Sequence, residues 1–246
     1  MNLSDKAVLI TGGKRIGAVI AEGLAGRGMD VALCYNRSVA EAENTAAVVK
    51  RLGRRAFVFQ ADLSRADACG ALVDTAAAAL GRLDVLVNMA SLYQRVDLEL
   101  LDDTSWDAAL AVDLKASFLC ARAAVPHMRR AGGGHIINFA DWVAASGRPR
   151  YKGYLAYFVA KRGVIGLTEA LALELAEQQI LVNAIAPGPI LAPDDTTDEE
   201  LKAVESATPL GRWGGEAEIL KAVAFLLESE FVTGETIRVD GGRHVR

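Results

Sequence analysis

The sequence predicts a single-domain α/β fold, a doubly wound parallel sheet of seven strands flanked by helices, spanning residues 1–246. Three observations carry this. Short runs rich in Val, Ile and Leu alternate with longer stretches of helical period, the pattern of repeated βαβ units. The runs are almost continuously apolar, which marks strands covered on both faces. Glycines stand where helices should stop, at Gly28, Gly53 and Gly81.

In chain order, strands are predicted at Lys6–Thr11, Asp30–Cys34, Arg55–Gln60, Leu83–Asn88, His135–Phe139, Ile180–Ala186 and Thr236–Val239. Helices are predicted between them at Ile16–Arg27, Val39–Leu52, Ala66–Leu80, Thr104–Arg130, Tyr154–Gln178 and Glu216–Leu227. The stretch Gly188–Gly215 breaks this rhythm. It is rich in Pro, Asp, Thr and Gly, with one short helical piece around Asp198–Ala203. A long segment leaving the carboxyl end of a strand in such a sheet reads as a substrate loop, because ligands bind at that edge.

Composition narrows the function classes. A formal net charge of −4 offers no footprint for a nucleic-acid backbone, so no nucleic acid is expected as a partner. Cys34, Cys69 and Cys120 are odd in number and far apart, which fits neither a disulfide framework nor a metal motif. A reducing, cytoplasmic setting is expected, and no segment has the length of apolar sequence that a membrane requires. His127, His135 and His244 are too scattered for a local metal site, and none is expected. A small-molecule substrate remains.

The turn after the first strand reads Thr11-Gly12-Gly13-Lys14-Arg15-Ile16-Gly17 and leads into a helix. Glycines let backbone approach a pyrophosphate, and the helix N-terminus offers free N–H groups and a favourable dipole. The ordinary tight βα connection is the alternative. At the end of the second strand, Asn36, Arg37 and Ser38 stand where an NAD-selective site presents a carboxylate to the ribose. Arg37 is suited instead to a 2′-phosphate, with Asn36 and Ser38 donating and Lys14 or Arg15 closing the other side. NADPH is therefore the expected cofactor; a plain surface role for Arg37 is the competing reading.

Tyr157 and Lys161 lie one turn apart on a predicted helix, so phenol and ammonium can act on one ligand. A neighbouring cation stabilises a phenolate and eases proton exchange at neutral pH. The wider constellation resembles the short-chain dehydrogenase/reductase family along essentially the whole chain. The supporting pieces come in order: the TGGKRIG turn, Ala61-Asp62-Leu63, Asn88-Met89-Ala90-Ser91, Tyr157 to Lys161, Pro187-Gly188 and Asp240-Gly241-Gly242. The resemblance implies a Rossmann-type fold, Tyr157 as general acid/base, and Lys161 holding the nicotinamide ribose. It further implies Asp62 at the adenine, Asn88 in the cofactor cleft and Pro187-Gly188 facing the nicotinamide. Leu63, Ala90 and Ile190 join the expected cofactor contacts, and a homotetramer is implied, with Thr104–Arg130 and Tyr154–Gln178 between subunits.

Several departures bear on the substrate. Asp141 stands where most members of the family carry a serine, and an ionised carboxylate only accepts hydrogen bonds and repels a developing oxyanion. It fits a substrate rich in N–H donors, or it is protonated. In this the chain is similar to the pteridine reductase and dihydromonapterin reductase branch. Arg15 lies where that branch has a basic residue near the ligand, Ser91 replaces a commoner glycine, and Tyr93 is suited to stacking on a flat heterocycle. A packing role in the lid is equally open for Tyr93, and the terminal Arg246 reaches either a neighbouring site or solvent. Asp113 replaces an asparagine of the proton relay and is taken with Tyr157, Lys161 and Asp141 as catalytic. The Gly-rich turn is shorter than the family's, Met89 replaces another asparagine, and a basic loop, residues 147–153, lengthens the spacing from Asp141 to Tyr157. Its cations either attract an anionic substrate or form a solvated surface. A pterin or folate reductase using NADPH is the first expectation, a reductase of 3-oxoacyl or other ketones the second, and a cofactor-binding regulator without turnover the third.

Overall fold

Alternate residues of the first strand, β1 (Ala7–Thr11), belong to opposite helical layers: Ala7 and Leu9 pack in one core cluster, Val8 and Ile10 in the other. Side chains of successive strand residues point to opposite faces, so an uninterrupted apolar run is what a strand between two layers needs. The same logic forms β2 (Asp30–Tyr35), β3 (Ala56–Gln60), β4 (Val85–Asn88), β5 (Gly134–Phe139), β6 (Ile180–Pro187) and β7 (Thr236–Val239). The computed structural model describes every residue except Gly13, Arg148, Asp194, Asp195 and Arg246, so the terminal arginine lies outside the described residues.

The seven strands form one parallel sheet in the order β3-β2-β1-β4-β5-β6-β7. One face is covered by α1 (Ile16–Ala25), α2 (Val39–Arg51) and a late helix, Glu216–Glu228. The other is covered by α3 (Ala66–Leu80), α5 (Ala116–Arg130) and α7 (Leu155–Leu175). The chain reverses direction across the sheet between β1 and β4, which opens a crevice at their carboxyl ends.

Two predicted helices are subdivided. The run from Thr104 to Arg130 is helical throughout, but α4 (Asp103–Leu110) passes into a π turn at Ala111–Lys115 before α5 begins. The extra residue in that turn rotates Asp113 into the interior, where it is almost fully buried. The run ending at Gln178 closes with a 3₁₀ turn at Ala176–Gln178. A short helix, α6 (Trp142–Ala145), follows β5 directly and is capped by Asp141, whose Oδ1 accepts the Val143 N–H at 2.7 Å. In the long segment after β6, α8 (Asp198–Ala207) runs past its predicted end and starts with a Thr197–Glu200 capping box. The Glu216–Glu228 helix is α9.

His135 lies in β5, buried away from any chemistry, and burial together with the amino-terminal charge depresses its pKa to about 4. Between its ordinary value and about pH 4 the unfolded chain gains a proton that the folded chain refuses, so stability falls as pH falls through that window. The loss is on the order of 3 kcal/mol. Urea unfolding of wild type and His135→Leu at pH 7 and pH 4.5 is expected to show the variant retaining about 2 to 3 kcal/mol that the wild type gives up. Parallel losses in the two proteins would refute the assignment.

Candidate active site

The crevice between β1 and β4 is floored by the Gly-rich turn. Gly12 has φ of +117°, a conformation that side chains resist. A Cβ on Gly17 would stand 1.9 Å from the Gly12 carbonyl oxygen, so the first turn of α1 can sit this close only as glycine. Arg15, with φ of 52°, donates to the Ala192 carbonyl at 2.8 Å and ties this turn to the segment after β6. Lys14 pairs with Glu41 of α2 at 3.3 Å.

A cleft of about 640 Å³ runs from this turn along the ends of β2 and β4. Gly12, Lys14, Arg15, Ile16, Asn36, Arg37, Ser38, Asp62, Leu63, Ala90, Ser91 and Ile190, all singled out in the sequence, line it together. Met89 and Leu191 add apolar wall. Asp62 accepts from the Ser64 N–H and hydroxyl, bonds that hold its carboxyl below the usual range, with Arg37 close enough to add to the effect.

Asn88 is a correction. Its amide donates inward to the Ser117 carbonyl at 3.2 Å and to Asn138 at 2.9 Å, joining α5 to β5 instead of facing the cleft. Pro187 ends β6, and the N–H of Gly188, the next residue, bonds the Val239 carbonyl at 2.9 Å. A Cβ on Gly188 would meet the Asp240 backbone at 2.5 Å, so the glycine here serves chain packing.

The four residues taken as catalytic converge. The Tyr157 hydroxyl donates to Asp141 Oδ2 at 3.2 Å, and the Lys161 ammonium lies 5.6 Å from the centre of the Tyr157 ring. Lys161 is buried, donates to the Phe139 carbonyl at 2.9 Å and pairs with Asp113 at 3.5 Å. Asp113 accepts from the Ser91 hydroxyl and from the Leu92 N–H, so one carboxylate fastens both the ammonium and the loop that leads to Tyr93. Burial lowers the affinity of Lys161 for its proton, and Asp113 works against that. Burial, then the carboxylates of Asp141 and Asp113, push the Tyr157 phenol well above its ordinary value. The Tyr157 hydroxyl thus keeps its proton at physiological pH. Burial also raises Asp141, with the Val143 N–H and the Tyr157 hydroxyl opposing.

Tyr93 stacks on Tyr154 at 4.9 Å between ring centres and meets Tyr157 edge-on at 5.0 Å. A second cavity, of about 680 Å³, opens beside this group, between the loop after β4 and residues 142–159. The Val96 N–H bonds the Gly153 carbonyl at 2.8 Å and joins these two walls. Trp142 and Tyr151 line the cavity; neither is among the site residues expected from the sequence, although aromatic residues are dense between 142 and 158.

The family model described as enoyl-(acyl carrier protein) reductase matches residues 12–244. A 3-oxoacyl-[acyl-carrier-protein] reductase FabG of Staphylococcus aureus (strain Mu50) is 38% identical over 245 residues, covering 98% of each chain. The chain belongs to the short-chain dehydrogenase/reductase family. Another relative within this reach is the 2-dehydro-3-deoxy-D-gluconate 5-dehydrogenase of Escherichia coli K12, 36% identical over 98% of this chain and 96% of its own. Among solved structures, the short-chain dehydrogenase/reductase of Serratia marcescens superposes with a TM-score of 0.91 at 31% identity, covering 99% of this chain and 100% of the other. A short-chain dehydrogenase of Burkholderia cenocepacia, solved with NADP, does so at 0.91 and 34% identity, covering 99% of both.

As a short-chain dehydrogenase/reductase the protein is an oxidoreductase of a nicotinamide cofactor. The structure fits that group: the cleft begins at a glycine turn whose tight packing a Cβ would block, and it extends to within reach of the second cavity through Ser91 and Leu92. Among the described residues no helix is long and apolar enough to cross a membrane.

Proposed function

We propose that the protein is an NADPH-dependent reductase of a planar, N–H-rich heterocycle of the pterin or folate type. The observation that carries this is the Tyr157–Asp141 hydrogen bond. A carboxyl group occupies the position beside the proton donor, and a carboxylate accepts N–H groups that a ketone substrate lacks. Stacked Tyr93 and Tyr154 offer a flat aromatic surface next to the same donor.

In this reading the bound cofactor supplies a hydride to a ring carbon. Tyr157 donates its hydroxyl proton to the adjacent ring nitrogen, and Asp141, whose proton affinity burial raises, orients the hydroxyl and accepts a ring N–H. Lys161 is assigned to the nicotinamide ribose and to stabilising the phenolate as it forms. Gly12, Arg15 and Ile16 are assigned to the pyrophosphate, Asp62 and Leu63 to the adenine end, and Ala90, Pro187, Gly188 and Ile190 to the nicotinamide end. Ser91 is assigned to the substrate edge with Arg15. Exposure of the apolar Phe118 on α5 and Leu173 on α7 supports the expected homotetramer.

Arg37, with Asn36, Ser38 and Lys14, is assigned to the 2′-phosphate, since no carboxylate stands at the end of β2. The wild-type enzyme is expected to prefer NADPH, and Arg37→Asp to lower kcat/KM for NADPH roughly 10- to 100-fold while sparing NADH. A wild-type preference for NADH would refute the assignment.

A second reading, reduction of a 3-oxoacyl thioester, draws on the FabG relatives. NADPH oxidation with dihydrobiopterin, dihydrofolate, dihydromonapterin and acetoacetyl thioesters separates the two. Dihydropterins should be the better substrates, and turnover of the thioester alone would favour the second reading.

A further inference from the structure

The second cavity has two unlike ends. At its inner end are Asp141 and Tyr157; at its outer end are Trp142, Arg150, Tyr151 and Lys152. The guanidinium of Arg150 lies 5.1 Å from the Trp142 ring centre, and that of Arg243 lies 5.2 Å from the same centre. Arg243 also donates to the Tyr151 hydroxyl at 3.2 Å, and Tyr151 meets Trp142 edge-on at 6.5 Å. One tryptophan thus gathers two guanidinium groups from distant parts of the chain, the loop before α7 and the carboxyl-terminal segment. Among the described residues no carboxylate pairs with Arg243. A guanidinium over a ring retains N–H donors whose planar fork suits a carboxylate or phosphate. On the opposite wall Asp97 is paired with Arg95 at 3.2 Å, which offsets its charge, and Glu99 stands farther along.

We propose that the outer end of this cavity is a subsite for an anionic group, carboxylate or phosphate, carried by the substrate on the side away from the atom that is reduced. The shape of the cavity then selects substrates as well as the catalytic group does: a flat or extended body lies along Tyr93, Tyr154 and Trp142 while Arg150 on the wall, with Arg243 held against the lining residues Trp142 and Tyr151, attracts its charged tail. The subsite rests on the inner end being the reducing site, but on neither substrate class named above. A glutamyl carboxylate on a folate and a phosphate on an acyl carrier present the same chemistry to two guanidiniums.

The test uses two matched pairs, dihydrofolate against dihydrobiopterin and acetoacetyl-coenzyme A against its neutral N-acetylcysteamine thioester. Binding is measured by calorimetry and turnover by NADPH oxidation, with the wild-type enzyme and its Arg150→Gln and Arg243→Gln variants. Each variant is expected to weaken binding of a charged member roughly tenfold more than that of its neutral partner. That difference should shrink as salt is raised, as for any exposed charge pairing. Equal effects on charged and neutral members would overturn the subsite, as would failure of both charged members to bind. Arginine-dependent binding without any turnover would keep the subsite and remove the reductase reading. Turnover with binding indifferent to both arginines would do the reverse.

Discussion

Tyr157→Phe should reduce kcat about a thousandfold with every substrate the enzyme accepts, while NADPH still binds. The variant loses one oxygen, and with it both the proton donor and the hydrogen bond to Asp141. The aromatic packing remains, since Tyr93 meets the Tyr157 ring and not its hydroxyl. Stopped-flow or steady-state NADPH oxidation, with cofactor binding followed by fluorescence, distinguishes lost chemistry from lost binding. Unchanged turnover would disqualify Tyr157 as the acid. A wild type that binds NADPH yet oxidises none across the substrate panel would leave the regulator reading standing.

Lys161→Met should destabilise the fold by about 3 to 5 kcal/mol, because it strands the Asp113 carboxylate in the interior. Both members of that pair are buried, and the ammonium makes a further bond to the Phe139 carbonyl. Adding Asp113→Asn to Lys161→Met should recover part of the loss, since the amide carries no charge to be stranded and can still accept from Ser91 and Leu92. Urea unfolding of the two single variants and the double variant measures this coupling. A loss below about 1 kcal/mol in Lys161→Met would mean the pair is not a buried ion pair in solution.

Why one carboxylate carries such weight was not legible in the chain. The apolar pattern from Thr104 to Arg130 reads as one helix, and the single inserted residue of the π turn leaves no periodic mark, yet it is what turns Asp113 toward Lys161. The strands were legible because burial on both faces demands uninterrupted apolar runs, a signal independent of distant partners. Tyr157 and Lys161 were legible because one helical turn fixes their relation locally. Asn88 was assigned to the cleft from the family resemblance, whereas the pleat directs its amide to Asn138 and Ser117. The aromatic and cationic wall around Trp142 depends on residues about a hundred positions apart, Arg150 and Arg243 among them, and no local pattern announces such a meeting.

Asp141 ties these parts together. It caps α6, holds the hydroxyl of Tyr157 and lines the second cavity, so under the proposed function the choice of substrate turns on one carboxyl group. The most direct measurement is the ratio of kcat/KM for a dihydropterin to that for an acetoacetyl thioester, in wild type and in Asp141→Ser. Serine also caps a helix, so α6 should persist in the variant. The wild-type ratio is expected to favour the dihydropterin, and the substitution to swing it toward the thioester by roughly a hundredfold, the effect of replacing an acceptor for ring N–H groups with a donor for an oxyanion. Dihydropterin turnover that survives Asp141→Ser unchanged, while ketone reduction rises, would contradict the account.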